Sequence, residues 1–374
     1  MAEEDSPPQK AVADPETYRE ALNGWMTGQL SSADGVRVHD VDMPRATGFS
    51  NETVFFSTTS SEAGQETTRK WVARIEPADG GLFPEQTDAC GISCEVQHKI
   101  MSAVRESGVA PIPEMFPFEQ DVNVLGQPFF VMEFIEGLIP ADVPRYTQEG
   151  FLVDQAKPAD RERMVREACE TMGDLSRLDW KTLGLDWLDV KGKGDPTLAD
   201  QLELYRNYCT SHLGEREHAV IMSSLDWLDA NAPNCPMGIS WGDSRLGNII
   251  WQDYRCASVC DWEAVSLCPP EADIGWFVMF DRMSYDDFGV ERLAGFPTRE
   301  EQVAIWEARS GRKVADTIDW WEIFATMRFD AIMIKLGDRL TGAGIVPAEA
   351  NMSITNGTTD ALARLLARQG VKVG

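Results

Sequence analysis

The sequence predicts a two-lobed α+β protein, in which a small lobe of five antiparallel strands and one helix precedes a mostly helical large lobe. Three observations support this fold class. Residues 35–136 contain β-branched and aromatic runs separated by turn residues, which is typical of strands. From residue 137 to residue 374 the apolar residues recur mainly at helical spacing. The chain of 374 residues is also long enough to bury a substantial core in two lobes.

The first elements are predicted from their end signals. Residues 1–34 should form a polar tail and then a helix, because Asp14 is a favourable N-cap and Pro15 suits the first helical position. In the small lobe, TVFFSTTS and KWVARIEP flank the turn-rich SEAGQE and predict a hairpin. The segment VNVLGQPFFVMEFIEG predicts a second pair of strands that turns at Leu125-Gly126.

One helix is expected between these strand pairs. GISCEVQHKIMSAVRESG places Ile92, Val96, Ile100 and Val104 four residues apart, and Gly108 stands where a C-terminal cap belongs. In the large lobe, apolar periodicity predicts helices at about 158–178, 197–213, 217–230, 298–310, 316–340 and 357–369.

Composition excludes several classes of function. The net charge of −27 argues against nucleic acid and anionic membranes as partners; it indicates a solubilising surface or, alternatively, a cationic substrate. Eight cysteines without paired CxxC motifs, and only four histidines, argue against a zinc site and favour free thiols. The acidic start MAEEDSPPQK has no apolar segment, and no run approaches the roughly 20 apolar residues of a membrane span. We therefore expect a cytoplasmic protein; no oligomeric state is predicted.

The stretch ISWGDSRLGNIIW carries polar residues within an apolar sequence. Asp243 is followed five residues later by Asn248, and the next apolar hairpin ends in Asp261. Such oxygen-bearing side chains suit Mg²⁺, which is commonly held by one or two carboxylates and substrate phosphates. An Asp that is not a ligand can orient or deprotonate an attacking hydroxyl, as in the catalytic loop of kinases. Taken singly, each residue is equally explained as satisfying a turn.

The segment WGDSRLGNIIWQDYRCASVCDWEAVSLCPPEADIGWF resembles the catalytic region of the aminoglycoside phosphotransferase (APH) and choline kinase-like family. It is most similar to the branch found fused to acyl-CoA dehydrogenases in animals and free-standing in bacteria. The resemblance covers residues 46–276 and implies a protein-kinase-like fold. It identifies Asp243 as the catalytic residue, Asn248 and Asp261 as Mg²⁺ ligands, and Asp273 as an acid that braces the catalytic loop.

Two positions depart from the family pattern. Trp241 stands where the family usually has His before Gly-Asp, which affects the geometry of the loop rather than its reactive groups. Cys268-Pro269 replaces the usual Gly-Asp before Pro270, a change expected to alter only a turn.

In the small lobe the resemblance indicates a phosphate-binding set. ATGFSNETVFF is similar to the family's loop between the first two strands, in which Gly48 would permit close approach while Ser50 and Asn51 donate to phosphate oxygens. Arg74, in KWVARIEP, is identified as the base that reaches the α- and β-phosphates. Glu95, on the following helix, would pair with it. By themselves these residues are also compatible with an ordinary turn and with solvated side chains.

The segment VMEFIEG is identified as the hinge that binds the nucleotide base. Met132 would lie behind the adenine, with the Glu133 carbonyl and the Ile135 amide facing its polar edge. Arg245 lies between the catalytic residues and would either neutralise the transferring phosphoryl group or brace the loop through Asp273 or Glu263.

These features predict an ATP- and Mg²⁺-dependent transferase that phosphorylates a hydroxyl of a small molecule. The branch resemblance favours a hydroxylated metabolite or a hydroxyacyl-CoA over an aminoglycoside. Because Trp320 and Trp321 are adjacent in a helix, one of them is expected to line the acceptor pocket. The alternative is a catalytically inactive kinase fold that binds a nucleotide or a partner.

Overall fold

The structure is a computed structural model that describes residues 14–31, 33–43, 52–62, 64–78 and 80–373. Gly48, Ser50 and Asn51 lie outside the described residues. The small lobe contains, in chain order, α1 (Pro15–Gln29), β1 (Asp34–Asp42), β2 (Glu52–Glu62), β3 (Gln65–Ile75), α2 (Ser93–Ser107), α3 (Val122–Leu125) and β4 (Phe129–Glu133). Its strands pair antiparallel in the order β1-β2-β3-β4.

Helix α1 covers one face of this sheet. Asp14 caps it as predicted, because its carboxylate accepts a hydrogen bond from the Glu16 amide at 3.2 Å. The helix and the sheet share an apolar core, whose members alternate along the strands as expected for a half-buried sheet. That core contains Tyr18, Leu22, Met26, Val36, Val38, Val54, Phe56, Trp71, Ala73, Ile75, Leu125, Phe129 and Val131.

The prediction of a strand before Leu125-Gly126 is wrong. Residues Val122–Leu125 form the short helix α3, whose N-cap is Asp121 and whose C-cap Gly126 has φ 84°. The Asp121 carboxylate accepts from the Asn123 amide, and this local bond favours a helical turn over an extended strand.

An irregular segment takes the place of the predicted fifth strand of the sheet. Residues 114–119 run antiparallel beside β4 and make two isolated bridges, one of which pairs Met115 with Met132. Pro117 interrupts this stretch, and a proline cannot donate to a strand ladder. The segment therefore covers the edge of β4 without forming a continuous strand.

Helix α2 agrees with its predicted pattern. Ile100 and Val104 are fully buried, and Gly108 ends the helix with φ 68°. The N-terminal end is capped from a distance, because the Glu76 carboxylate accepts from the amides of Ser93 and Cys94. A carboxylate at this end also interacts favourably with the helix dipole.

The large lobe is mostly helical, and the six helices predicted there are present to within a few residues at each end. It contains α4 (Phe151–Asp154), α5 (Pro158–Leu175), α6 (Leu198–Leu213), α7 (Ala219–Ala230), β5 (Gly238–Ser240), β6 (Ile249–Gln252), β7 (Arg255–Val259), β8 (Ser266–Cys268), α8 (Glu271–Ser284), α9 (Arg299–Ser310), α10 (Ile318–Gly342) and α11 (Gly357–Arg368). Strands β5 and β8 form one two-stranded sheet, and β6 and β7 form another. The α+β fold class is thus confirmed.

Helix α8 was not predicted from the sequence. Nearly all of its residues are buried, so that it lacks the polar face from which an amphipathic helix is recognised. Gly275 lets it approach α10 closely, since a Cβ atom there would lie 2.7 Å from the Trp321 main-chain oxygen. The prediction that Trp320 or Trp321 lines a pocket is wrong, because both side chains are buried in the core.

A segment of the small lobe reaches across to the helices of the large lobe. We call residues 80–91, between β3 and α2, the strap. Tyr208 on α6 donates to the carbonyl of Leu82, and Lys335 on α10 donates to that of Gly81. The strap therefore connects the lobes beside the cleft. No helix among the described residues is long and apolar enough to cross a bilayer.

The helical lobe holds a buried carboxylate that should make stability depend on pH. Asp330 on α10 accepts from Thr359 at 2.7 Å and lies 3.4 Å from the His218 ring, and burial raises its pKa to about 7. In the unfolded chain the pKa of an Asp is about 3.9, so the unfolded state loses its proton first and stability falls as pH rises from about 4 to 7.

We predict that Asp330→Asn removes this loss. The free energy of unfolding of the variant, relative to that of the wild type, should rise by on the order of 2 kcal/mol between pH 5 and pH 8. Denaturant titrations at both pH values measure the difference, with Asp229→Asn, an exposed carboxylate on α7, as control. Parallel pH profiles for the wild type and Asp330→Asn would contradict the prediction.

Candidate active site

The loop that follows β5 is held in place by one buried carboxylate. Asp273, in the first turn of α8, accepts hydrogen bonds from the Ser240 hydroxyl at 2.8 Å, the Trp241 amide at 2.9 Å and the Gly242 amide at 2.9 Å. Burial raises the pKa of Asp273, while these three donors lower it. The bracing contact predicted for Asp273 is therefore present.

Gly242 fits only because it has no side chain. Its φ is +94°, and a Cβ atom at this position would lie 2.0 Å from the main-chain oxygen of Ala264. The close approach packs the loop against the segment that follows β7. Space thus requires a glycine at position 242.

Trp241, at the position where the family usually has His, is buried and hydrogen-bonded. Its side chain is 1% exposed, and its indole N–H lies 2.9 Å from the carbonyl of Cys260 and 3.2 Å from that of Asp261. Trp241 therefore ties this loop to the residue predicted to bind metal. A tryptophan at this position thus leaves the loop hydrogen-bonded to the segment after β7.

Asp243 follows directly and is itself held by three side chains. Its Oδ2 accepts from Asn248 Nδ2 at 2.7 Å and from Arg245 Nε at 3.3 Å, and its Oδ1 accepts from Trp276 Nε1 at 2.8 Å. The carboxylate is 7% exposed. Such a group, with its orientation fixed by donors, can bind and orient a hydroxyl.

Trp276 is the residue of this set that the sequence analysis missed. It lies three positions after Asp273 on α8, and helical residues three apart share a face. If Asp273 braces the loop, the residue one turn later faces the same loop. That spacing was the available signal, but it required α8 to be recognised first.

Asn248 and Asp261 are linked through the main chain. The Cys260 amide donates to the Asn248 carbonyl at 2.8 Å, which aligns the end of the loop with the residue preceding Asp261. Asn248 donates through Nδ2 to the main-chain and side-chain oxygens of Asp243, and no described residue donates to its Oδ1. Asp261 has φ 56°, a conformation that Asp tolerates better than most residues. The structure thus brings the three predicted residues together.

Arg74 and Asp261 face each other across the lobes without satisfying each other. Arg74 Nη2 lies 3.8 Å from Asp261 Oδ1, beyond hydrogen-bond distance, and neither atom has a hydrogen-bond partner among the described residues. Burial raises the pKa of Asp261, the Arg74 guanidinium lowers it, and the nearby Asp243 raises it further. Buried polar atoms are normally bonded, so each of these two atoms has hydrogen-bonding capacity left for a further group.

The predicted pairing of Arg74 with Glu95 is wrong. Arg74 donates through Nη1 to the Thr53 hydroxyl at 3.0 Å, on the neighbouring strand. Glu95 pairs with Lys99 at 2.7 Å, one helical turn along α2. Lys99 is one turn from Glu95 on the same helix and so lies within its reach. The Arg74 guanidinium instead lies toward Asp261.

The predicted hinge residues lie at the end of β4. Met132 is half-buried, and the amide of the exposed Glu133 donates to the Glu114 carbonyl at 2.8 Å. Phe134 donates to the carbonyl of Lys70 on β3. The Ile135 amide finds no acceptor in the part of the chain that the structure describes.

Arg245 is a brace in this structure, although not through the predicted partners. It donates to both oxygens of Asp142, at 2.8 and 2.7 Å, rather than to Asp273 or Glu263. Its guanidinium also lies 5.4 Å from the centre of the half-buried Phe280 ring. Asp142 belongs to the segment that leaves the small lobe, so the contact joins that segment to the loop.

A metal-binding cluster is not preformed from protein groups alone. Over the described ranges, no set of three or more His, Cys, Asp or Glu side chains is arranged to hold a metal ion. Mg²⁺ usually takes one or two carboxylates and completes its octahedron with water and phosphate oxygens. The two side-chain oxygens of Asn248 and Asp261 fit that smaller requirement.

The chain resembles known proteins over most of its length. The sequence profile of the Phosphotransferase enzyme family (APH) matches residues 43–311. Mouse acyl-CoA dehydrogenase family member 10 is 24% identical over 319 residues, which cover 82% of this chain and 28% of that protein. Rat acyl-CoA dehydrogenase family member 11 is 24% identical over 296 residues, covering 75% and 34%. This chain thus spans about a third of the length of these relatives.

Solved structures share the fold. A Ralstonia eutropha chain named as an aminoglycoside phosphotransferase aligns with a TM-score of 0.63 and 22% identity, covering 92% of this chain and 94% of that chain. APH(2")-IIia, solved with GDP and kanamycin, has a TM-score of 0.57 and 14% identity, covering 92% and 99%. A thermostable mutant of APH(4)-Ia with AMP-PNP and hygromycin B has a TM-score of 0.54 and 14% identity, covering 93% and 99%. The likeness confirms the expected fold.

We predict that Asp273→Asn weakens both the fold and the site. An amide would direct N–H groups at donors and leave at least one of them unsatisfied, which costs about 1–3 kcal/mol for a buried group. Thermal and denaturant unfolding measure the loss, and Asp229→Asn is the matched exposed control. If Asp273→Asn unfolds like the wild type, the loop does not depend on this carboxylate.

Proposed function

Because the chain belongs to the Phosphotransferase enzyme family, we propose that it transfers the γ-phosphate of ATP, with Mg²⁺, to a hydroxyl of a small molecule. The observation that carries this proposal is the facing pair of Arg74 Nη2 and Asp261 Oδ1, two buried atoms 3.8 Å apart that have no hydrogen-bond partner among the described residues. A guanidinium suits phosphate oxygens and a carboxylate suits a cation. A nucleotide with its metal would satisfy both.

The small lobe, residues 35–136, would hold the nucleotide. Arg74 would bind the α- and β-phosphates. Met132 would lie behind the adenine, and the Glu133 carbonyl and the Ile135 amide would face its polar edge. Gly48, Ser50 and Asn51 would complete the phosphate site from the loop between β1 and β2.

Asn248 and Asp261 would hold Mg²⁺ together with phosphate oxygens. Their fit is supported by Asp261 Oδ1, which has no hydrogen-bond partner within the described ranges, and by the bonds of Asn248 there, which use its side-chain nitrogen rather than its oxygen. When bound, Mg²⁺ would neutralise negative charge on the transferring phosphoryl group.

Asp243, in the large lobe of residues 137–374, would orient the acceptor hydroxyl and take its proton. The hydroxyl oxygen then forms the new bond to the γ-phosphorus, the bond to the bridging oxygen breaks, and ADP leaves with that oxygen. In phosphoryl transfer most of the catalysis is positioning and stabilisation of charge. Arg245 would add positive charge close to the transferring group, in addition to its bond with Asp142.

The surroundings of Asp243 favour an acceptor that is not a polycation. Arg245 is a partly exposed cation beside Asp243, and the half-buried Phe280 ring lies 5.4 Å from its guanidinium. Such a ring suits an apolar chain, and a guanidinium suits an anionic group. We therefore favour a hydroxyacyl-CoA or another hydroxylated metabolite over an aminoglycoside.

The function is tested by ADP release from ATP and Mg²⁺ over a panel of hydroxyacyl-CoA esters, other hydroxylated metabolites and aminoglycosides. We expect a hydroxylated metabolite to accelerate ADP release and kanamycin to have no effect. Asp261→Ala should abolish the stimulated release, since a metal ligand is lost. Thermal stabilisation by ATP with no turnover of any acceptor would instead favour an inactive nucleotide-binding fold.

Two substitutions should separate catalysis from nucleotide binding. Asp243→Asn should lower kcat at least about a hundredfold, the lower end of what a positioned acid–base group supplies, and leave the KM for ATP nearly unchanged. Arg74→Ala should raise that KM by about tenfold or more, because a charged hydrogen bond to phosphate is lost. Steady-state kinetics with varied ATP measure both.

The matched control is Arg69→Ala, an exposed arginine on the same strand as Arg74, which should leave both constants unchanged. A near-normal kcat for Asp243→Asn would mean that this residue only braces the loop.

A further inference from the structure

We propose that Trp276 is a positioning residue for the phosphoryl transfer, which holds the Asp243 carboxylate in the rotation that presents Oδ1 to the acceptor hydroxyl. The inference rests on the proposed function and adds a residue to its machinery. The indole N–H of Trp276 donates to Asp243 Oδ1 at 2.8 Å, and the side chain is 1% exposed.

The carboxylate of Asp243 has four lone-pair sites for hydrogen bonds, two on each oxygen. Asn248 and Arg245 donate to Oδ2, and Trp276 donates to Oδ1. Arg245 Nε is equally far from both oxygens, at 3.3 Å, so its bond alone does not select a rotation. One lone pair of Oδ1 remains, and we assign the proton acceptor to that atom.

The rotation of the Asp243 carboxylate has to be fixed by hydrogen bonds from its surroundings. The terminal torsion of an aspartate is broad, so the Asp243 side chain does not settle one orientation by itself. Asn248 fixes Oδ2, whereas Trp276 fixes Oδ1 from another element of the fold. Two donors on different oxygens define the plane of the group, and a misdirected lone pair would face away from the hydroxyl.

Trp276 is in turn immobilised by its neighbours. Its ring packs on Phe280 at 5.5 Å and Phe329 at 6.0 Å, and Phe83 of the strap lies at 6.2 Å. The Arg328 guanidinium stands 4.8 Å from the ring centre. An aromatic ring held by a cation and three other rings has little freedom to turn its N–H away from Asp243.

Arg328 also joins the ring to the catalytic loop. Its Nη2 donates to the carbonyl of Gly242 at 3.3 Å, and its Nε donates to the Tyr205 hydroxyl at 2.9 Å. The same guanidinium therefore contacts the Trp276 ring and the main chain of the residue before Asp243. Ring and carboxylate keep their relative position through one shared side chain.

A tryptophan with only a packing role would not need to donate its indole N–H to the carboxylate proposed to accept the proton. Trp320, in the same lobe, donates its indole N–H to the main-chain carbonyl of Leu228 at 3.1 Å. The two residues therefore offer a matched pair. Each loses one indole hydrogen bond when replaced by phenylalanine, but only one of those bonds reaches Asp243.

The kinetic test compares Trp276→Phe with Trp320→Phe, using ATP, Mg²⁺ and the hydroxyacyl-CoA esters, with water as acceptor where no ester is phosphorylated. Trp276→Phe should lower kcat about tenfold to a hundredfold, the range for losing a hydrogen bond to a charged group, and leave the KM for ATP within about twofold. Trp320→Phe should change neither constant by more than about twofold.

A double substitution separates positioning from general damage to the fold. Because Trp276 acts through Asp243, adding Trp276→Phe to Asp243→Asn should lower kcat by less than about twofold more. If the two losses multiply, or if Trp276→Phe raises the KM for ATP with kcat unchanged, the proposal is overturned.

A spectroscopic measurement tests the contact without any activity. In the ¹H–¹⁵N spectrum, the assigned Trp276 indole signal should move upfield in Asp243→Asn, while the Trp320 signal stays in place. An unmoved Trp276 signal means that the hydrogen bond is absent in solution and overturns the proposal. A wild type that turns over no acceptor, not even water, defeats the proposed function; an active wild type with an equally active Trp276→Phe defeats only the positioning role.

Discussion

The site depends first on the buried carboxylate of Asp273. Its oxygens accept hydrogen bonds from three consecutive residues, Ser240 to Gly242, and so set the direction in which the chain enters the catalytic loop. Asp243 is the next residue, so the same hydrogen bonds also fix the position of its main chain. Burying a carboxylate is unfavourable unless donors surround it, so the loop and the acid order each other. Helix α8 carries both this carboxylate and Trp276, so it holds the loop and the Asp243 side chain from one element.

From that loop a continuous series of contacts crosses the cleft. Asp243 is bonded to Asn248, whose main-chain carbonyl accepts from Cys260, the neighbour of Asp261. Asp261 then faces Arg74 on the sheet of the small lobe without a hydrogen bond between them. The series is thus complete except at its charged end, where an anionic ligand and its cation would fit. Local charge also differs from the total: the chain carries −27, yet the Arg245 guanidinium lies 3.3 Å from Asp243.

Three of the sequence-based predictions failed, for two different reasons. Local interactions decided two of them: a capped helical turn replaced the strand expected before Leu125, and an i, i+4 ion pair with Lys99 replaced the pairing of Glu95 with Arg74. Tertiary packing decided the third, because Trp320 and Trp321 are both buried in the core. Gly48, Ser50 and Asn51 lie outside the described residues, so their role stays a prediction.

The sequence by itself determined the α+β fold class, the helices with a clear apolar face and the grouping of Asp243, Asn248 and Asp261, because periodicity, end signals and short spacings are local properties. Tertiary structure alone decided the rest. Helix α8 is buried on all sides and gives no amphipathic signal. The partner of Arg245 is Asp142, and the third donor to Asp243 is Trp276. Such contacts depend on which surfaces pack together, and packing is a property of the whole chain rather than of any short segment.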